Sequence, residues 1–148
     1  MGAEALDAVE VSWFGLAGDR RWAFVRDDAR QSDFPWLTIR ERNDMNLFCP
    51  AFVDPSKPDQ SPTIVRTPSG DTLDVSDPTL ASELYPSGAR VIRQQRGIFD
   101  TFPISLVSTQ TIRSIGDAVG MPLDVQRFRP NVLIESTDDA PFQDCLLY

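Results

Sequence analysis

Apolar and polar residues alternate along this chain in short bursts, and most bursts have the two-residue period of a half-buried strand. Val9-Glu10-Val11-Ser12-Trp13 alternates in this way, and Gly15 and Gly18 mark the turn that follows. Arg21 to Arg26 reads as a second strand, with Trp22 and Phe24 on the side opposite Arg21 and Ala23. Trp36-Leu37-Thr38-Ile39-Arg40 and Asn46-Leu47-Phe48-Cys49 read as two more. Asp54 to Pro62 holds Pro55, Pro58 and Pro62 and almost nothing apolar, so it is expected to be a surface loop.

A hairpin is written into the next stretch. Thr63 to Thr67 and Thr72 to Val75 flank Pro68-Ser69-Gly70-Asp71, with proline and glycine where a tight turn needs them. Asp77-Pro78 opens a short helix that Pro86-Ser87-Gly88 closes, and Arg90 to Arg93 is another strand. Ile104 to Val107 is a buried strand running into a helix at Ser108. That helix has a polar N-cap and an apolar stripe at Ile112, Ile115 and Val119, and it stops at Gly120 and Pro122. Asn131 to Glu135 is the last strand. The expected class is mainly β with two short helices, a β-barrel or β-rich α+β domain.

Charge and composition narrow the chemistry. The 148 residues carry a net charge of −8, and thirteen of the fourteen basic residues are arginine, Lys57 being the exception. Nucleic-acid backbones are bound by neutralising phosphates, so an acidic chain is not expected to bind them. The N-terminus lacks the basic flank and apolar core of a secretory signal, and no apolar run has the length of a membrane span. A cytoplasmic protein that uses no membrane is therefore expected. There is no histidine, which excludes a Ser-His-Asp or Cys-His apparatus and a His-ligated metal. Cys49 and Cys145 are too few for a four-thiolate zinc site and read as small buried hydrophobes.

What remains is the arginines. Gly18-Asp19-Arg20-Arg21-Trp22 and Arg127-Phe128-Arg129-Pro130-Asn131 each set guanidinium forks beside a small polar partner at the edge of a strand. Such forks match phosphate and other planar anions. The bland alternative is that Arg127 faces outward and that Asp19 and Asp100 cap turns or pair with arginines.

These runs have a familiar order. Gly15-Leu16-Ala17-Gly18-Asp19-Arg20-Arg21-Trp22, Leu37-Thr38-Ile39-Arg40, Phe99-Asp100 with Pro103 to Ser108, and Arg127 to Asn131 with Pro141-Phe142 together resemble the MOSC family, β-barrel domains of molybdenum cofactor sulfurases and amidoxime-reducing proteins. The resemblance divides the chain into an N-terminal barrel-like region, 1–97, and the first part of the core domain, 98–148, with one continuous domain as the alternative. It implies a MOSC-like β-barrel, incomplete at the C-terminus. It also implies binding of the pyranopterin molybdenum cofactor, for sulfur transfer or molybdenum-dependent reduction; pyridoxal phosphate binding is a further association of the family.

The residue roles implied are those of anion ligands. Arg20 follows a glycine turn, Arg40 ends a strand, Ser108 and Thr109 open a helix, and Arg129 and Asn131 lie two apart on one strand. Arg20, Arg40 and Arg129 are expected to converge near the helix that starts at Ser108. No catalytic and no metal-ligating residue is expected, because the family's first strand with its Lys-Ser pair and its later Arg-Cys pair have no counterpart here. The chain thus reads as truncated at both ends relative to the family. The alternative function is a non-catalytic module that keeps the arginine pocket for a phosphorylated ligand; an enzyme using Cys145 as nucleophile lacks a base to activate it. The apolar residues of the Pro141 to Tyr148 tail point to a homodimer that covers an unpaired sheet edge, or else to a marginal, aggregation-prone monomer.

Overall fold

The computed structural model describes residues 1–29, 31–95, 97–98, 102–137 and 140–142. Phe99, Asp100, Cys145 and the tail from 143 to 148, all singled out above, lie outside the described residues. The chain is mainly strands in small sheets with two α-helices, and no sheet closes into a barrel among the described residues. It divides into two compact units, Met1–Asp100 and Thr101–Tyr148.

In the first unit, β1 (Val11–Ser12) and β2 (Gly15–Leu16) form a two-residue-wide hairpin, shorter than the strand expected from Val9 to Trp13. Trp13 and Phe14 occupy its tip, with Trp13 97% exposed, so no packing surface draws the alternation further. β3 (Trp22–Arg26) pairs antiparallel with β7 (Ala89–Arg93), Phe24 opposite Val91. A second sheet has the order β4-β5-β6, from Cys49–Phe52, Thr63–Arg66 and Thr72–Asp74. β4 contains Pro50, which has no N–H to donate, and it is accordingly an edge strand. The β5–β6 turn is held by Thr67 N–H to Asp71 O at 2.8 Å, and by the Thr67, Ser69 and Asp71 side chains.

Helix α1 (Pro78–Leu84) has Asp77 as N-cap, whose carboxylate accepts from Thr79 N–H at 2.8 Å. It buries Leu80, Ala81 and Leu84 against Phe24, Phe48, Val65 and Val75, the core of this unit. Full burial of a large apolar side chain contributes about 1.5–3 kcal/mol, so these residues hold the two sheets and the helix together.

Two expected strands are corrected. Trp36 makes only an isolated bridge to Val25, and Thr38-Ile39-Arg40-Glu41 is a turn. The Glu41 carboxylate accepts from Thr38 N–H at 2.8 Å and from Thr38 Oγ1 at 2.7 Å, the glutamate half of a Thr-x-x-Glu capping box, while Thr38 Oγ1 accepts from Arg40 N–H at 3.2 Å. Those bonds satisfy the backbone locally and remove the incentive to pair as a strand. Likewise Met45–Leu47 is a single 3-10 turn, and the strand begins only at Cys49.

In the second unit, β8 (Leu106–Ser108) and β9 (Val132–Ile134) are parallel, with α2 (Thr109–Val119) in the crossover between them. Parallel neighbours need such a crossover, which is why the helix follows the strand directly. Ser108 is the N-cap, accepting from Thr111 N–H at 3.1 Å, and Gly120 ends the helix in the left-handed conformation at φ 72°. The expected apolar stripe is corrected: Val119 is 58% exposed, and beside Ile112 the buried positions are Gln110, Thr111 and Gly116. The buried face is polar because it carries hydrogen bonds. Gln110 exchanges two bonds with the Ser136 backbone, both at 3.1 Å, and Thr111 Oγ1 accepts from Phe142 N–H at 2.8 Å.

Candidate functional site: two arginine turns

Arg20 stands on a turn that only glycines could build around it. Gly15 and Gly18 have φ of 96° and 79°, and Arg20 itself has φ 48°, a left-handed conformation that costs a non-glycine residue about 1 kcal/mol or more. The backbone on either side is pinned: Asp19 N–H bonds Leu16 O at 3.1 Å, Ile98 N–H bonds Arg20 O at 2.9 Å, and Gln94 N–H bonds Arg21 O at 2.8 Å. The Arg20 guanidinium lies 3.6 Å from the Asp19 carboxylate and its side chain is 35% exposed. Its neighbour Arg21 is committed elsewhere, paired with the Asp59 carboxylate while Arg93 donates to Asp59 O at 2.8 Å. A cleft of about 200 Å3 opens beside this turn, but Glu10, Asp19 and Asp59 line it along with Arg21. Three carboxylates against one paired guanidinium repel a phosphate, so this cleft itself is not an anion pocket.

Arg40 lies on a different turn of the same unit. It is not the end of a strand, as expected, but the exposed tip of the Thr38–Glu41 turn. Glu41 is held below its usual carboxylate range, first by the Thr38 hydroxyl and also by Arg26, 3.9 Å away. The turn is therefore closed by a carboxylate that stays ionised at neutral pH.

In the second unit, Arg129 and Asn131 do not share a strand, since β9 begins at Val132. A 3-10 turn over Val125–Arg127 ends at Phe128, and Arg129 then takes φ 49°, with Arg129 N–H on Gln126 O at 3.3 Å. The left-handed residue redirects the chain into β9, so the alternation rule does not reach back to it. The Arg129 side chain is exposed and makes no hydrogen bond or ion pair to another described residue. Asn131 clamps the start of β9 to the start of β8: its Oδ1 accepts from Ser105 N–H at 3.0 Å and from Ser105 Oγ at 2.9 Å.

Ser108 and Thr109 sit at the other end of the parallel pair. The register sets Ser108 opposite Ile134, three residues beyond the Ser105–Asn131 clamp, which at about 3.3 Å per residue is on the order of 10 Å away. The fold thus brings Arg129 to Asn131 and Ser108 to Thr109, but not one pair to the other. Ser108 is 1% exposed and bonds Thr111 Oγ1 at 2.9 Å, while Thr109 Oγ1 bonds Gln110 Oε1 at 3.0 Å. Both hydroxyls serve the helix start.

Sequence reasoning passed over two groups. Arg42 chelates Asp44, lies over the Phe48 ring with its guanidinium carbon 5.4 Å from the centroid, and donates to the Glu83 and Leu84 carbonyls that end α1. No local signal announces it, because its carbonyl partners are some forty residues away. Glu41 did carry a signal, the Thr-x-x-Glu spacing. No cluster of three His, Cys, Asp or Glu side chains fit to hold a metal occurs among the described residues, and no described helix is long and apolar enough to cross a membrane.

No family model matches the chain, and no curated protein or solved structure matches it.

Proposed function

We propose that this chain binds a phosphate-bearing pterin, the pyranopterin molybdenum cofactor of the MOSC family it resembles, and that its strands belong to a MOSC-like barrel. One observation carries the reading. Arg20, Arg129 and Phe142 are the non-glycine residues with positive φ among those described, and each falls in one of the runs that bear the resemblance: Gly18 to Trp22, Arg127 to Asn131, and Pro141-Phe142. Strained backbone persists where surrounding structure over-determines it, and it concentrates at ligand sites. At both arginines the strained residue sends its side chain toward solvent rather than into the core.

The donor chemistry fits the anionic end of such a cofactor. Arg40 and Arg129 are exposed guanidinium groups without a hydrogen-bonded or ionic partner among the described residues, and a fork of this kind grips a phosphate with two parallel bonds. When bound, the cofactor would supply its molybdenum for sulfur transfer or reduction; the residues here would hold its phosphate.

The test is a fluorescence titration of the full chain with 6-hydroxymethylpterin monophosphate, its dephosphorylated form and inorganic phosphate. The phosphorylated pterin should bind best. A charge-assisted hydrogen bond contributes about 1.5–3 kcal/mol, so Arg129→Ala should weaken binding about tenfold or more, and Arg20→Ala comparably. Equal binding of the two pterins, or an Arg129→Ala variant that binds like the parent, defeats the reading. Phosphate bound as well as the phosphorylated pterin selects the non-catalytic phospholigand module instead.

A further inference from the structure

We infer that Phe52, at the end of β4, is a positioning residue for Arg20, an inference that takes from the reading above only the role of Arg20 as an anion ligand. The evidence is a contact that glycine alone permits. A Cβ built on Gly18 would lie 2.6 Å from Phe52 Cζ, 3.2 Å from Phe52 Cε1 and 3.0 Å from Pro58 Cβ, and Gly18 has φ 79° besides. The main chain of the arginine turn therefore rests directly on the edge of the Phe52 ring.

Phe52 is itself fixed, paired with Thr63 across the β4–β5 sheet and donating its N–H to the Glu4 carboxylate at 3.0 Å. On the far side of the turn, Ile98 N–H holds Arg20 O at 2.9 Å and Gln94 N–H holds Arg21 O at 2.8 Å. The turn is thus gripped from two sides, by the ring and by the segment that leaves β7. Arg20 at φ 48° lies between the grips. A strained residue keeps its conformation only while both ends of the turn are fixed. With the ring withdrawn, Gly18 gains room, Arg20 relaxes to an ordinary backbone conformation, and its guanidinium leaves the direction the turn imposes.

The experiment uses the full chain and two readouts. Amide hydrogen exchange at Ile98 reports the Arg20 backbone without any ligand, and titration with 6-hydroxymethylpterin monophosphate reports the guanidinium. In Phe52→Ala the Ile98 amide should exchange about tenfold faster or more while the amides of α1 keep their protection. Phe52→Ala should lower pterin-phosphate affinity about tenfold in the parent, and by less than about twofold when Arg20→Ala is already present, since a residue acting through Arg20 has nothing left to act on. If Phe52→Ala does not fold, Phe52→Leu withdraws the ring edge with less loss of bulk and carries the same comparison. Unchanged exchange at Ile98 overturns the inference, as does an equal loss of affinity in both backgrounds. Faster exchange at Ile98 in a protein whose parent form binds no pterin phosphate supports the hold of Phe52 on Arg20 and overturns the anion-binding reading alone.

Discussion

Replacing Arg42 by methionine keeps most of the side-chain bulk and removes every polar contact it makes, so it isolates what one guanidinium contributes to the first unit. The last carbonyls of a helix have no intrahelical donor; here Arg42 supplies one to Glu83 O and a longer one, at 3.3 Å, to Leu84 O. A hydrogen bond from a charged donor contributes about 1.5 kcal/mol at the low end of its range, appropriate to a partly exposed group. The contact with the Phe48 ring, 5.4 Å from guanidinium carbon to centroid, adds about 0.5–1 kcal/mol. The pair with Asp44 lies at the surface and is left out of the sum. The expected loss is about 2 kcal/mol, an unfolding constant about 30-fold larger and a midpoint about 8–16 °C lower for a unit of roughly 100 residues. Tryptophan fluorescence during urea and thermal unfolding is the assay, because Trp13, Trp22 and Trp36 all lie in Met1–Asp100. Asp44→Asn should cost less, since the carbonyl and ring contacts survive it. A loss below about 0.5 kcal/mol for Arg42→Met, or an Asp44→Asn variant just as unstable, would refute the assignment of Arg42 to the helix end.

Glu41 gives a pH prediction. Its carboxyl is depressed in the folded chain from an ordinary 4.5, by the Thr38 hydroxyl first and with Arg26 adding to it; the stabilisation is complete above that ordinary value and is lost as pH falls through the lower folded one. The gap in urea midpoint between the parent and Glu41→Gln should hold steady above about pH 5 and shrink below it, and a gap that persists unchanged to pH 3 would sink the idea. Gln110→Leu should cost about 1–3 kcal/mol locally, because it removes both side-chain hydrogen bonds to the Ser136 backbone; the Ser136 amide should exchange faster, and unaltered protection there would count against it. Ser108→Ala removes the N-cap of α2 and should destabilise that helix by about 1 kcal/mol, read as faster exchange at Thr111; no change would mean the cap is idle.

Several elements of this chain are dictated locally and were legible without any structure. The β5–β6 hairpin and α1 behind Asp77-Pro78 arise where turn residues and caps agree with the hydrophobic pattern, and the bounds of α2 follow its caps, Ser108 and Gly120. The arginine runs were legible as motifs. Only the tertiary structure decided the rest. Trp36 to Arg40 alternates like a strand, yet it has one bridging partner and a capping box that satisfies its backbone at lower cost. Val119 fits an apolar stripe, yet the face of α2 that packs inward is the one carrying Gln110 and Thr111, because the backbone around Ser136 and Phe142 needs their hydrogen bonds. Arg129 and Asn131 are two apart, yet a left-handed residue separates them from strand geometry. Periodicity reports which residues could share a face; whether a partner waits there, and whether a buried backbone group must be satisfied there, depends on segments far away in the chain.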